Sequence, residues 1–118
     1  FIMTIRYKNQ GFKQADTNLN TVLTCPTDAT LIVKSIYCAN NDASSAIQVN
    51  ASLIDTSDSS TEYEFFRDDI AAKSQVNASP QGVNLEAGDL IKIQAATGSN
   101  KIQGVISYAL IDRSQENG

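Results

Sequence analysis

Apolar side chains recur at every second position through several short stretches of this chain. That spacing belongs to a strand with one dry face and one wet face. In residues 46–53 the apolar members Ala46/Ile47, Val49, Ala51 and Leu53 alternate with Gln48, Asn50 and Ser52. Residues 89–95 repeat the pattern, which places Ile91, Ile93 and Ala95 on the inner side. Residues 102–111 and 31–39 are apolar on both faces, so they are expected to be central strands or to be covered on their outer side. Weaker strand candidates are residues 3–7, 19–25 and 62–67; in the last, Tyr63 and Phe65 are expected to face one way and Glu62, Glu64 and Phe66 the other. A short strand over residues 83–86 precedes a turn at Ala87-Gly88-Asp89, where Gly88 can take positive φ without steric penalty.

These segments amount to about eight strands, separated by polar stretches such as residues 40–45, 55–60 and 97–100. No segment carries a sustained helical stripe, and residues 68–75 are the stretch best suited to a single helical turn at a corner. The pattern predicts an all-β fold, a single antiparallel β-sandwich of jelly-roll type. A chain of 118 residues holds one such core. Residues 8–18 are polar and include Gly11, so residues 1–18 are expected to form an amino-terminal arm and connector, residues 19–113 the sandwich, and residues 114–118 a tail.

Composition removes whole classes of function. The net charge is −4 and the nine Lys and Arg residues are scattered singly, so no phosphate-binding face and no nucleic-acid partner are expected. No apolar run approaches the roughly 20 residues of a helical membrane span, and no export signal is expected at the amino end. Histidine is absent, which rules out Ser-His-Asp and Cys-His constellations and the commonest transition-metal ligand. Glu62, Glu64, Asp68 and Asp69 read as solvated side chains rather than a paired-carboxylate site. Residues 55–60 offer hard oxygen ligands but lack the glycine and distal glutamate of a calcium loop, and Asx turns account for their Asp and Ser.

Pro26-Thr27-Asp28 reads as a hairpin turn, with Cys25 opposite a residue near Leu31 and Cys38 further along the partner strand. At about 3.3 Å of rise per residue the offset exceeds the reach of a disulfide, so two free, buried thiols are expected. Asn50-Ala51-Ser52 and Asn77-Ala78-Ser79 match the glycosylation pattern, which arises often by chance in a chain this rich in Asn and Ser. The expectation is therefore a non-enzymatic protein with no catalytic, cofactor or metal-binding residues. The apolar residues Phe1, Ile2, Ile5, Tyr7 and Phe12 remain, and they need a surface to bury against. An edge of their own sheet and a neighbouring subunit satisfy that need equally, so these five are the candidate partner-binding residues.

The run from Leu19 through Pro26 to Ile36, closed by Asn40-Asn41, resembles the strand, Pro-containing turn and strand of small virion proteins of tailed bacteriophages. Leu85-Glu86-Ala87-Gly88-Asp89 with the strand after it, and Val105-Ile106-Ser107-Tyr108, resemble that group's later turn and closing strand. The resemblance covers about residues 19–112 and implies a virion structural protein, foremost a capsid decoration (cement) protein like those of phages including cyanophages. It further implies the major capsid protein or other virion subunits as partners, a homo-oligomer with a trimer favoured, and the capsid surface as location. A neck or tail-fibre component with a receptor- or glycan-binding role is the alternative, although the absence of Trp weighs against a sugar platform.

Overall fold

The computed structural model describes residues 4–113, and nine strands account for most of them. They are β1 (Thr4–Lys13), β2 (Asn20–Thr24), β3 (Ala29–Asn40), β4 (Ile47–Asp55), β5 (Thr61–Ile70), β6 (Gln75–Asn77), β7 (Val83–Leu85), β8 (Leu90–Ala95) and β9 (Ile102–Asp112). The pairs β1 with β9, β2 with β8, β3 with β6 and β7, and β4 with β5 are all antiparallel. Together they make one long ribbon whose tip is the β4–β5 hairpin. Rolling that ribbon sets β9 beside β3 and β8 beside β4, giving one sheet in the order β1-β9-β3-β6, with β7 also on β3, and a second in the order β2-β8-β4-β5. This is the jelly-roll path, two packed antiparallel sheets whose consecutive strands repeatedly cross from one layer to the other.

The alternation read from the sequence is the alternation of the core. Ile47, Val49 and Ala51 of β4 and Ile91, Ile93 and Ala95 of β8 face Leu31, Val33, Ile36 and Cys38 of β3 and Ile102 and Ile106 of β9. Gly88 takes φ +84 in the turn before β8, and its N–H donates to Cys25 O at 3.0 Å. The buried Asp89 stitches that turn by accepting from Glu86 N at 2.9 Å and from Thr56 N at 3.2 Å. Gln14 joins the layers: its N–H donates to Ile102 O of β9 and its side-chain amide to Ile93 O of β8, both at 2.9 Å.

Several expectations are corrected. Pro26–Asp28 is a crossing between layers and not a hairpin, because β2 lies in one sheet and β3 in the other. Both thiols are nevertheless free and buried, Cys25 where the chain leaves β2 and Cys38 near the far end of β3. Residues 68–70 continue β5, residues 71–74 form a turn, and β6 follows, so no helix occupies residues 68–75. The expected facing of β5 changes at a bulge between Ala51 and Ser52: Phe66 pairs with Ala51 and Tyr63 with Leu53, which puts Phe66 on the core side with Tyr63. The polar residues 8–13, expected in a flexible connector, belong to β1, whose ten residues pair with β9 from Thr4↔Asp112 to Lys13↔Gln103.

Candidate assembly interface

The carboxylates Asp55, Asp58, Glu62 and Glu64 at the β4–β5 end are occupied locally. Asp55 accepts from Ser57 N and Oγ at 3.1 and 2.7 Å and caps a single turn of 3-10 helix, while Asp58 accepts from the Tyr63 hydroxyl at 2.6 Å. Glu62 accepts from Ser52 Oγ at 2.7 Å, and Glu64 is held by Arg67 through two guanidinium nitrogens at 2.6 and 3.0 Å. The Arg67 hydrogen bond holds the Glu64 carboxyl below its ordinary pKa. Among the described residues no group of three or more His, Cys, Asp or Glu side chains is placed to hold a metal. Burial pushes the Cys38 thiol up to about 12 and raises that of Cys25, the opposite of what a nucleophilic cysteine requires. The two sequon asparagines are also engaged: Asn50 is buried, and Asn77 Oδ1 accepts from Ile36 N and Ser79 N, both at 3.0 Å.

The two outer faces of the sandwich differ in kind. Outside the β2-β8-β4-β5 sheet lie Gln48, Asn50, Ser52, Glu62, Glu64, Arg67, Lys92 and Gln94, cross-linked by Arg67 Nη1 to Gln48 at 3.2 Å and Gln94 Nε2 to Thr17 O at 3.0 Å. The outer face of the β1-β9-β3 sheet instead carries cross-strand apolar rows, interrupted by the polar row Asn9-Ser107-Ser35 and bounded by Lys13 and Gln103. Ile5 lies beside Ile111, Tyr7 beside Ala109 and Ile32, and Gly11 beside Val105 and Tyr37. Tyr7 is 77% exposed, Ile5 54%, Tyr37 48%, Val105 44% and Ile32 40%, so no element of the described chain covers this face. The Lys34 ammonium sits 5.1 Å from the centre of the Tyr7 ring, a cation–π contact across the outer face. A shallow depression opens between Tyr37, Val105 and Lys13, where Gly11 contributes no side chain.

Of the five residues singled out from the sequence, Ile5 and Tyr7 fall on this face. Phe12 points to the other side of β1 and packs against the core above Gly104, whose missing side chain makes room for the ring. Phe1 and Ile2 lie outside the described residues. Ile32, Tyr37 and Val105 were not singled out as a contact surface. Their signal was present in the two-sided apolar character of β3 and β9: both are interior strands of their sheet, as expected of such a pattern, but their outer side is bare.

No protein-family model matches this chain, and no curated protein matches it. Among solved structures, a chain from the acidic stable capsid of Helicobacter pylori bacteriophage KHP30 has a TM-score of 0.58 at 13% identity, covering 96% of this chain and 95% of that one. A chain of the Bacillus endospore appendages, described as a family of disulfide-linked pili, has a TM-score of 0.51 at 10% identity, covering 96% of this chain and 91% of that one. At these identities the likeness is one of fold, and it spans nearly the whole of each chain.

Proposed function

We propose that this protein is a non-enzymatic structural subunit of a virion, a capsid decoration protein that seats on the shell through the outer face of the β1-β9-β3 sheet. The observation that carries the reading is that face, where Ile5, Tyr7 and Ile32 on one side of the polar row Asn9-Ser107-Ser35, and Tyr37 and Val105 on the other, are large apolar side chains that the fold itself leaves in water. Large apolar side chains grouped on one exposed face mark a surface that meets a partner. Each large side chain fully buried on docking contributes on the order of 1.5 to 3 kcal/mol before ordering costs are subtracted. The opposite face is polar and internally hydrogen-bonded, which suits the side of a shell protein that stays in solvent. The full-length fold likeness to a phage capsid chain supports the same class of role.

Co-sedimentation with undecorated capsids tests the proposal. Ile32→Glu and Tyr37→Glu change exposed positions, so the variants should keep β-type circular dichroism and lose attachment by at least tenfold. Attachment equal to that of the unaltered protein would remove the outer face from the interface, and attachment confined to isolated neck or tail structures would move the protein from shell to tail.

A further inference from the structure

The two longest edge strands of the sandwich carry opposite charge. β1 is the free edge of one sheet and β5 the free edge of the other, and each is ten residues long. β1 holds Arg6, Lys8 and Lys13 and no acidic residue, whereas β5 holds Glu62, Glu64, Asp68 and Asp69 against the single Arg67. In the rolled ribbon β1 lies on the flank of β2, while β5 lies on the flank of β6 and β7. They are thus on opposite sides of the domain.

From this placement we infer that the β1 edge of one copy pairs antiparallel with the β5 edge of a second copy, a head-to-tail contact that deepens the structural role proposed above and rests on it. Laid antiparallel, Arg6-Tyr7-Lys8 meets Glu64-Tyr63-Glu62 residue for residue. Arg6 then opposes Glu64 and Lys8 opposes Glu62 on one face, while Tyr7 opposes Tyr63 on the other. Cross-strand pairs of opposite charge and of apolar or aromatic residues are the pairs that stabilise a ladder. The match is available because Arg6, Tyr7, Lys8, Glu62, Tyr63 and Glu64 are all exposed in the single chain, with Arg6 also 3.6 Å from the Asp112 carboxylate at the end of β9. Glu64 and Glu62 are held in place by Arg67 and Ser52, and Tyr63 by Asp58, so the acidic edge is ordered before its partner arrives. Thr61 to Glu64 precede the β5 bulge, which leaves that stretch regular enough to take a second strand.

An edge strand presents a row of backbone N–H and C=O groups on its unpaired side, and natural proteins blunt such edges with like charge, which repels a copy of the same edge. Here the blunting is selective. β1 against β1 and β5 against β5 repel, while β1 against β5 attracts, so the charge pattern discriminates in favour of the head-to-tail contact. A contact of this kind is heterologous, and it closes into a ring or extends as a filament according to the rotation between copies. A ring of three would supply the trimer that the sequence resemblance implies.

A charge swap decides the matter, read by sedimentation velocity at several protein and salt concentrations, with circular dichroism to confirm the fold. The unaltered protein should self-associate, less so at high salt. Arg6→Glu/Lys8→Glu and Glu62→Lys/Glu64→Lys should each weaken self-association at least tenfold, their equimolar mixture should restore it, and so should the chain carrying all four changes. Asp28→Lys/Glu86→Lys, which alters net charge equally at exposed sites away from β5, should not rescue Arg6→Glu/Lys8→Glu in a mixture. An unaltered protein that stays monomeric at the highest concentration, or double variants that associate undiminished or are not rescued by mixing, would overturn the head-to-tail contact. Such failures leave the shell-binding reading standing wherever Ile32→Glu still abolishes capsid attachment. Loss of that reading alone would show as intact charge-swap behaviour with Ile32→Glu still attached.

Discussion

Raising the pH should destabilise this protein, and the buried thiol of Cys38 is the group with the largest part in it. Cys38 is fully buried in β3, and burial pushes its pKa from about 9 to about 12 because the thiolate has no water and no cation to stabilise it. Below pH 9 the folded and unfolded chains both keep the proton, and the stability this group contributes is fully present. Above pH 9 the unfolded chain releases the proton while the folded one holds it, so the unfolded state binds fewer protons and stability falls as pH rises. The slope is about 1.4 kcal/mol per pH unit until the folded pKa is reached. At pH 10.5 the loss is therefore about 2 kcal/mol, or a fall of about 1 M in the urea midpoint if the denaturant slope is about 2 kcal/mol/M. Cys25, raised by burial, and Tyr63, raised by its hydrogen bond to Asp58, shift stability in the same sense. The informative quantity is thus the difference between the unaltered protein and Cys38→Val, measured by urea denaturation at pH 7.5, 9 and 10.5. The variant should lose markedly less stability between pH 9 and 10.5. Parallel pH profiles for the two proteins would refute the burial argument.

Gly104→Ala should cost about 1 to 3 kcal/mol and lower the melting temperature, since a Cβ there would collide with the Tyr37 carbonyl oxygen and the Phe12 ring; an unchanged melting curve would count against this packing. Val49→Asp should abolish folding by placing a charge among Ala95 and the rest of the core, whereas Gln48→Asp, one residue away on the solvent side, should change stability by less than about 0.5 kcal/mol in a urea titration. Equal effects at both positions would mean that the β4 register is wrong.

Where the sequence was legible, burial had imposed a strict rule on it. Val49 and Ile93 could be assigned to the core because every second residue of their strands must be apolar, and Gly88 could be assigned to a turn because only glycine takes φ +84 at no cost. Pairing was less legible. Period two says which face of β2 and β3 is dry but not which sheet each strand joins, so a layer crossing at Pro26 read as a hairpin. β6 was missed although β7, equally short, was found: Val83 and Leu85 alternate with Asn84 before a Gly turn, whereas Gln75-Val76-Asn77 has one apolar residue and no alternation; the inverted facing of Phe66 was missed because a bulge shifts parity without any compositional mark.

The most consequential misreading lay in β1, and its cause bears on function. Gln10, Lys8 and Arg6 pair with Ile106, Tyr108 and Leu110 of β9, so they occupy the side of β1 that faces the sandwich interior, yet all three are exposed. The second sheet does not reach across to cover them, and β1 overhangs. Ile5 and Tyr7 therefore point away from the core, and the dry face of this strand is the inverse of the one its own fold can bury. Folding alone gives little reason to place isoleucine and tyrosine there rather than two more polar residues, because Ile5 stays 54% and Tyr7 77% exposed. A contact made outside the chain does give one. Such a contact would account at once for the exposed apolar residues on the face shared with Ile32 and Val105 and for the basic residues that alternate with Ile5 and Tyr7 along β1, the two features by which the proposed shell contact and the proposed head-to-tail contact can be separated by experiment.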